Sequence, residues 1–419
     1  MRRFALAHFV VVLSLLVACG GGSPAPAPAP PASKPAEPAK PAAEPAKPAA
    51  PATDKPAAPA APAAQATTAA PAAAAKPAAA AKPGAVTLGP GPKIPVTFIG
   101  QSIPTLLQYT KIEVPYAKEI IPQRSGGRVE MTTATWAERN LQGTEMIRLV
   151  RQGQVEMGGA PLTYVAGDVP ILDAADLAGL NPTIEQTRKV MDALIPVGNK
   201  ELEKFGVKMV ASVPFPAQVI YCNKPLANLS DLKGRKVRTF GTSLPDLVSA
   251  LGGQSVSISF PETYSALERG VTDCGITGTG SGNANKWYEV TTHLYTLPVG
   301  WSLQAVYINL KWWNGLTPDV QKFFEAIFKE MEDEYWKLGH ELTQDGIDCN
   351  TNRPTCKLGV PDKESPMVEV KPIKEDEVLL RKILEEAVLP GFVKRCGAQC
   401  GTTFNEVVAP IAGVKYTAR

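Results

Sequence analysis

The 419-residue sequence predicts an α/β fold carried on a disordered Pro/Ala stalk. Two observations lead there. Nearly half of its 40 prolines fall between Pro24 and Pro92, in a stretch built almost wholly of Pro, Ala and Lys that has too few apolar side chains to bury a core. Beyond it, segments of period two give way repeatedly to segments of helical period, the grammar of alternating strands and helices and hence of largely parallel sheets. The roughly 325 residues from Lys93 onward suffice for one large or two medium domains. A net charge of +3 leaves no basic footprint for nucleic acid. The chain has three histidines, and His8 falls in a leader, so most histidine-based catalysis is excluded.

The leader places Arg2 and Arg3 before an apolar run from about Phe9 to Ala18 and ends in small residues. This is an export signal over residues 1–18, too short to span a bilayer stably. The tetrad Leu16, Val17, Ala18, Cys19 resembles the bacterial lipobox, which makes Cys19 the lipidated first residue of the mature chain. Its acyl chains would hold the protein on a membrane at about 0.8 kcal/mol per buried methylene. Residues 19–92 then read as a linker in which proline holds φ near the polyproline II value, a semi-rigid stalk or a plain disordered spacer.

The globular part opens with a strand over 94–100. A helix over about 112–124 stops at Gly126 and Gly127, and a strand follows at 128–135. A helix over 144–152 puts Met146, Leu149 and Val150 on one face, and strand character returns over 153–159. A longer helix over 184–205 leads to a strand over 207–213. The second half repeats the pattern: a strand at 218–223, one helical turn capped by Asn228, a strand at 236–239, and a helix from Ser243 as its cap to Leu251. Pro261 suits the first turn of a helix through Arg269, which Gly270 stops, and 271–277 reads as a strand. From Pro318, the residues Val320, Phe323, Phe324, Ile327, Phe328, Met331 and Leu338 recur at helical spacing over about seven turns, a helix long enough to brace two lobes. A bridged loop over 349–372 and a last helix over 375–387 complete the reading.

With Cys19 assigned to lipid, six cysteines remain in an exported chain, which favours disulfides. Fifteen pairings are possible. Short loops favour Cys349 with Cys356 and Cys396 with Cys400, leaving Cys222 with Cys274; each short bridge would contribute roughly 2 to 3 kcal/mol. The competing arrangement, a zinc site from the last four, has poor ligand spacing.

Three stretches carry a family resemblance. They are SGGRVEM with LQGTEMIRLVRQGQVEMG between Ser125 and Gly158, NLSDLKGRKVRTFG from Asn228 to Gly241, and LGGQSVSISFPETYSALERGVTD from Leu251 to Asp273. In this order they resemble the solute-binding proteins of tripartite ATP-independent periplasmic (TRAP) transporters, the DctP-type family, and the likeness covers nearly all of residues 93–345. It implies a two-lobed periplasmic binding fold with a hinge and a long bracing helix. Lobe I would comprise 93–217 plus about 305–345, and lobe II 218–304 plus about 346–419. It further implies a binding protein, not an enzyme, that captures a small organic acid in the periplasm and delivers it to TRAP-type membrane permease subunits. A lipoprotein sensor or scaffold on the same fold is the alternative.

In that family the arginine of the KVR strand pairs with the substrate carboxylate, a role that falls here on Arg238. A planar guanidinium fixed at a strand end matches two carboxylate oxygens and keeps its charge. Where many members have a second arginine this chain has Gln218, which can orient an acid but cannot neutralise it. After Asp273, the family's frequent D-G-x-E-N-P is replaced by Cys274, Gly275, Ile276, Thr277, Gly278. The carboxylate and asparagine are both missing, so no metal and no cofactor are expected, and the hydroxyls of Thr277 and Thr279 are candidates to replace the lost donors. Phe260 matches a position that stacks on substrate in some relatives. Trp136, Tyr164, Trp287 and Trp301 are candidates for the remaining walls, and such a pocket with one arginine suits an aromatic or branched monocarboxylate better than a short dicarboxylate. GTGSG at 278–282 lacks the glycine at 283 of a dinucleotide fingerprint, and Thr279 occupies the upstream glycine that a nucleophile elbow at Ser281 requires.

Overall fold

Residues 85–418 are described by a computed structural model, and they fall within one compact unit, Pro77–Arg419. The export signal, Cys19 and the linker up to residue 84 lie outside the described residues. Along the described chain the strands are β1 (Ile94–Ile99), β2 (Val129–Ala134), β3 (Met157–Pro161), β4 (Val207–Val213), β5 (Gln218–Cys222), β6 (Lys236–Thr239), β7 (Gln254–Ser257), β8 (Cys274–Gly278), β9 (His293–Gly300), β10 (Gln304–Asn309) and β11 (Val368–Val370). They form two sheets, ordered β2-β1-β3-β10-β4 in lobe I and β11-β9-β5-β8-β6-β7 in lobe II.

The sheets are mixed rather than largely parallel. β1 runs parallel to β2 and β3, but β10 is antiparallel to both β3 and β4. In lobe II, β6 is parallel to β7 and β8, while β5 is antiparallel to β8 and β9. The two exceptions share a cause. β5 and β10 are the strands that the chain enters on crossing between lobes, at 214–217 and 301–303, and no helical return is there to keep them parallel.

The long helix Pro318–Asn350 makes a third crossing and, at 33 residues, runs about nine turns where about seven were expected. Pro318 sits in its first turn, where a missing N–H costs nothing. Its Phe323, Phe324, Ile327 and Phe328 pack with Phe98, Ile112 and Tyr116 into the lobe I core. Each of these buried side chains contributes roughly 1.5 to 3 kcal/mol of transfer free energy. The helix Ile184–Leu202 starts where Thr183 accepts the N–H of Gln186. Its chain turns into β4 through Gly206, whose φ of 73° is the left-handed conformation.

Several boundaries moved. The strand expected at 153–159 is β3, starting at Met157, and β8 starts at Cys274 rather than at residue 271. Ser243 is not a cap: its Oγ accepts the N–H of Ala178 across the molecule, and Thr242 precedes the helix Ser243–Ala250. The final helix begins at Lys374 and, through a wide turn at Leu384–Val388, continues to Cys396, with more helix to Ala412. Disulfides join Cys222 to Cys274, Cys349 to Cys356, and Cys396 to Cys400. The last four cysteines therefore leave no thiolate set for zinc. Asp345 lies near Cys349 and Cys356 as well, but its carboxylate accepts the backbone N–H groups of Lys357, Leu358 and Gly359 and so anchors the bridged loop.

Candidate binding cleft

A cleft of about 440 Å³ opens between the lobes, lined by Trp136, Tyr164, Gln218, Arg238, Phe260 and Thr277 among others. Six of the seven residues expected to bind ligand thus meet around one space. Arg238 reaches it from β6, whose short KVRT run is flanked by parallel neighbours β7 and β8. The side chain is buried, 1% exposed. Its Nε donates to the carbonyl of Ile258 at 2.9 Å and its Nη1 to that of Ile276 at 2.8 Å. Phe240 and Trp287 lie against the guanidinium at 5.1 and 5.7 Å from their ring centres. No carboxylate pairs with Arg238 among the described residues, and Nη2 has no hydrogen-bond partner among them. Burial accordingly pushes the guanidinium pKa down to about 10, opposed only by Tyr164.

The floor beneath this cation is shaped by Gly275. A Cβ there would lie 2.8 Å from the Trp287 ring, so only glycine lets the indole lie flat under the guanidinium. Phe260 is tilted against the same indole, ring centres 5.8 Å apart. On lobe I, the Trp136 and Tyr164 rings lie 6.2 Å apart between centres, and the indole N–H of Trp136 is donated to the Gly159 carbonyl. Burial raises the Tyr164 pKa, with Arg238 pulling in the opposite direction.

Three expected wall or donor residues are elsewhere. Trp301 is buried in a crossing segment, its indole N–H donated to Asn181 and its backbone N–H to Asp176, so it is a strut and not a wall. The next residue, Ser302, faces the cleft instead. Trp287 forms a second layer beneath Arg238 and is fully buried. The Thr279 hydroxyl is committed to the carbonyls of Leu342 and Thr343 on the long helix.

Sequence reading missed Ser102, Phe215, Phe240, Ser302 and Gln304, which also line the cleft. Phe215 and Ser302 sit in the two crossings, and Gln304 opens β10, a strand that the sequence pattern did not reveal. A second cavity of about 430 Å³ adjoins, sharing Gln218, Phe240 and Ser302 and lined by Asp173 and Asp176. Asp176 accepts the N–H groups of Trp301 and Ser302 at 2.9 and 2.5 Å, yet burial still pushes its pKa up to about 6. Asp173 accepts from the Thr242 hydroxyl, and the Thr242 N–H is donated to Thr163 Oγ1, which ties the lobe edges together.

Residues 107–359 match the family described as bacterial extracellular solute-binding protein, family 7 (DctP). The chain belongs to that family. Family 7 consists of solute-binding receptors rather than enzymes, and among the described residues no helix is long and apolar enough to cross a membrane. This family 7 chain is 28% identical over 199 residues to the C4-dicarboxylate-binding periplasmic protein DctP of Rhodobacter capsulatus, covering 45% of this chain and 58% of that one. It is 27% identical over 236 residues to an uncharacterized Haemophilus influenzae protein, covering 53% of this chain and 68% of that one. Two further curated relatives are matched over 56% and 57% of their own lengths, so the chain spans little more than half of them.

Among solved structures, the fold is similar to DctP7 of Bordetella pertussis, an extracytoplasmic solute receptor binding pyroglutamic acid. The TM-score is 0.66 at 20% identity, over 77% of this chain and all of that one. A TRAP periplasmic solute binding protein from Desulfovibrio salexigens with bound orotic acid gives 0.66 at 20% identity, over 76% of this chain and all of the other. These similarities show the two-lobed receptor fold.

Proposed function

We propose that this family 7 protein captures a small carboxylic acid in the interlobe cleft and hands it to TRAP-type membrane permease subunits. The observation that carries the reading is Arg238: a buried guanidinium with neither a carboxylate partner nor a hydrogen-bond partner for Nη2 among the described residues, facing the interlobe cleft. Burying a lone cation is costly, and an arriving carboxylate offsets that cost while accepting charge-assisted hydrogen bonds. Phe260, Tyr164 and Trp136 would enclose the body of the ligand, with Gln218 and Thr277 orienting it. The named relatives support an organic acid as the class, since they bind C4-dicarboxylates, pyroglutamate and orotate. Lipidation of Cys19 would tether the receptor to the membrane through the Pro/Ala linker, near the permease it serves.

A thermal-shift screen of mono-, di-, keto- and aromatic acids, followed by calorimetry, tests the reading. An acid should bind, and Arg238→Ala should weaken it. Deletion of the protein should abolish uptake of that acid. Unchanged affinity in Arg238→Ala overturns the assignment, and retained uptake overturns the transport role. X-ray scattering should show the radius of gyration falling when ligand closes the lobes.

A further inference from the structure

Cleft-lining groups whose hydrogen-bonding sense is fixed by the protein dictate what a ligand must offer in return. Two neutral amides line the cleft, one from each lobe: Gln218 at the start of β5 and Gln304 at the start of β10. Both are buried, at 3% and 1% exposure. One N–H of each amide nitrogen is already committed. Gln218 Nε2 donates to the Pro216 carbonyl at 2.9 Å, and Gln304 Nε2 donates to the Gly100 carbonyl at 3.2 Å.

Those commitments fix the orientation of each amide on chemical grounds. Turning either one over would set its oxygen against a carbonyl oxygen and leave a buried acceptor unpaired. Each Oε1 is therefore held as an acceptor. Neither Oε1 has a hydrogen-bond partner among the described residues, and neither is among the sealed unpartnered atoms, which in this cleft include Ser281 Oγ. Both amides line the cleft, and Gln218 lines the adjoining cavity as well. The hydroxyls of Thr277, Ser281 and Ser302 rotate to either sense, so the unpartnered groups of fixed sense include one cationic donor, Arg238, and the two amide oxygens.

We propose that the solute is a carboxylic acid that also carries an N–H or O–H donor, such as a lactam, a ring N–H or a hydroxyl, and that Gln218 Oε1 and Gln304 Oε1 read this donor from opposite lobes. The proposal rests on the carboxylate reading above and narrows it. An unadorned dicarboxylate satisfies Arg238 with one end and offers no donor to either amide oxygen. A monocarboxylate with only ether or carbonyl oxygens leaves both amides without a donor. Because the acceptors come from different lobes, a donor that reaches both also bridges the closed cleft.

The test uses isosteric acids that differ only in the donor: pyrrole-2-carboxylate against furan-2-carboxylate, and pyroglutamate against its lactone analogue 5-oxotetrahydrofuran-2-carboxylate, with succinate as a third arm. Calorimetry on the full chain should show at least one N–H acid binding about tenfold or more tighter than its oxygen isostere, the scale of leaving buried polar groups unpaired. Succinate should bind more weakly than that N–H acid. In Gln218→Met or Gln304→Met the preference should shrink to within about threefold. The comparison in the unaltered protein stands even if a variant fails to fold. Arg238-dependent binding without an N–H preference overturns this inference and leaves the carboxylate reading in place. A preference that survives in both glutamine variants overturns the assignment to these amides. If none of these acids nor any in the wider screen binds, both readings fall.

Discussion

Replacing Arg238 by methionine separates a binding cation from a structural one, because the structure predicts opposite magnitudes for affinity and stability. Among the described residues the guanidinium is held by two backbone carbonyls and by no acid. Burial lowers its pKa to about 10, and at 1.36 kcal/mol per tenfold change this corresponds to about 3 kcal/mol of disfavoured charge. Methionine removes that penalty but leaves the carbonyls of Ile258 and Ile276 unpaired, at about 1 to 3 kcal/mol each. The balance is a change in unfolding free energy of no more than about 3 kcal/mol. Binding loses more, because a carboxylate then enters a sealed site with nothing to neutralise it. One or two charge-assisted bonds at about 1.5 to 3 kcal/mol each give a loss of about 2 to 5 kcal/mol, or roughly 30- to several-thousand-fold in Kd. Arg238→Lys keeps the charge but cannot hold both carbonyls and the ligand with one compact ammonium, so its affinity should fall between the two. Calorimetry against the best acid from the screen, with urea denaturation of the same preparations, provides the measurement. A Kd within threefold of the original, combined with a stability loss beyond about 4 kcal/mol, would make Arg238 a strut and refute the reasoning.

Three further outcomes follow from named contacts. Glu113 is sealed in lobe I, where Oε1 accepts from Gln101 and Tyr335 and Oε2 has no partner; burial raises its pKa to about 8. The stabilisation from its native-state proton is complete below its ordinary pKa near 4.5 and is lost as pH rises through about 8. Glu113→Gln should therefore gain on the parent progressively across that window, by a few kcal/mol at pH 8.5, and parallel urea stabilities at pH 5 and 8.5 would contradict this. Gly275→Ala forces the Trp287 ring out from under Arg238; a cost of about 1 to 3 kcal/mol and a weaker Kd are expected, and an unchanged melting temperature would show that the ring is free to move. Replacing Cys222 and Cys274 together by alanine opens a link across 52 residues, for which chain entropy gives about 4 kcal/mol, readable as a lower urea midpoint than under oxidising conditions in the parent.

What the sequence disclosed of the cleft depended on how local the signal was. Arg238 and Phe260 were singled out because they lie in two of the continuous stretches that carry the family resemblance, Asn228 to Gly241 and Leu251 to Asp273; local pattern supplied only a strand end for the first and the start of a proline-led helix for the second. Trp301 was misread because adjacent residues in the crossing segment face different ways: its indole turns inward to Asn181 while Ser302, at a φ of 49°, turns to the cleft. Gln304 could not be found by pattern, since every residue of β10 is buried and a fully buried strand shows no alternation. The same loss of period hid the direction of β5 and β10, because periodicity reports which face is buried and says nothing of the neighbour's polarity.

The crossings and the cleft walls are the same pieces of chain, and this constrains how recognition and closure can be coupled. Phe215 lies in the first crossing with Gln218 directly after it, and Ser302 lies in the second with Gln304 two residues on, so these cleft-lining groups belong to the segments that join the two sheets. Trp136 and Tyr164 on one lobe and Phe260 on the other lie in stretches outside the crossings. If the lobes turn about the crossings, a ligand is read by the groups there before the aromatic walls close. The energy of closing those walls over apolar surface is then released only for a solute already oriented there. Neutral amides suit that position better than a second arginine would, because a charge beside the hinge would hold any anion, whereas an acceptor of fixed sense accepts a donor and rejects its isostere.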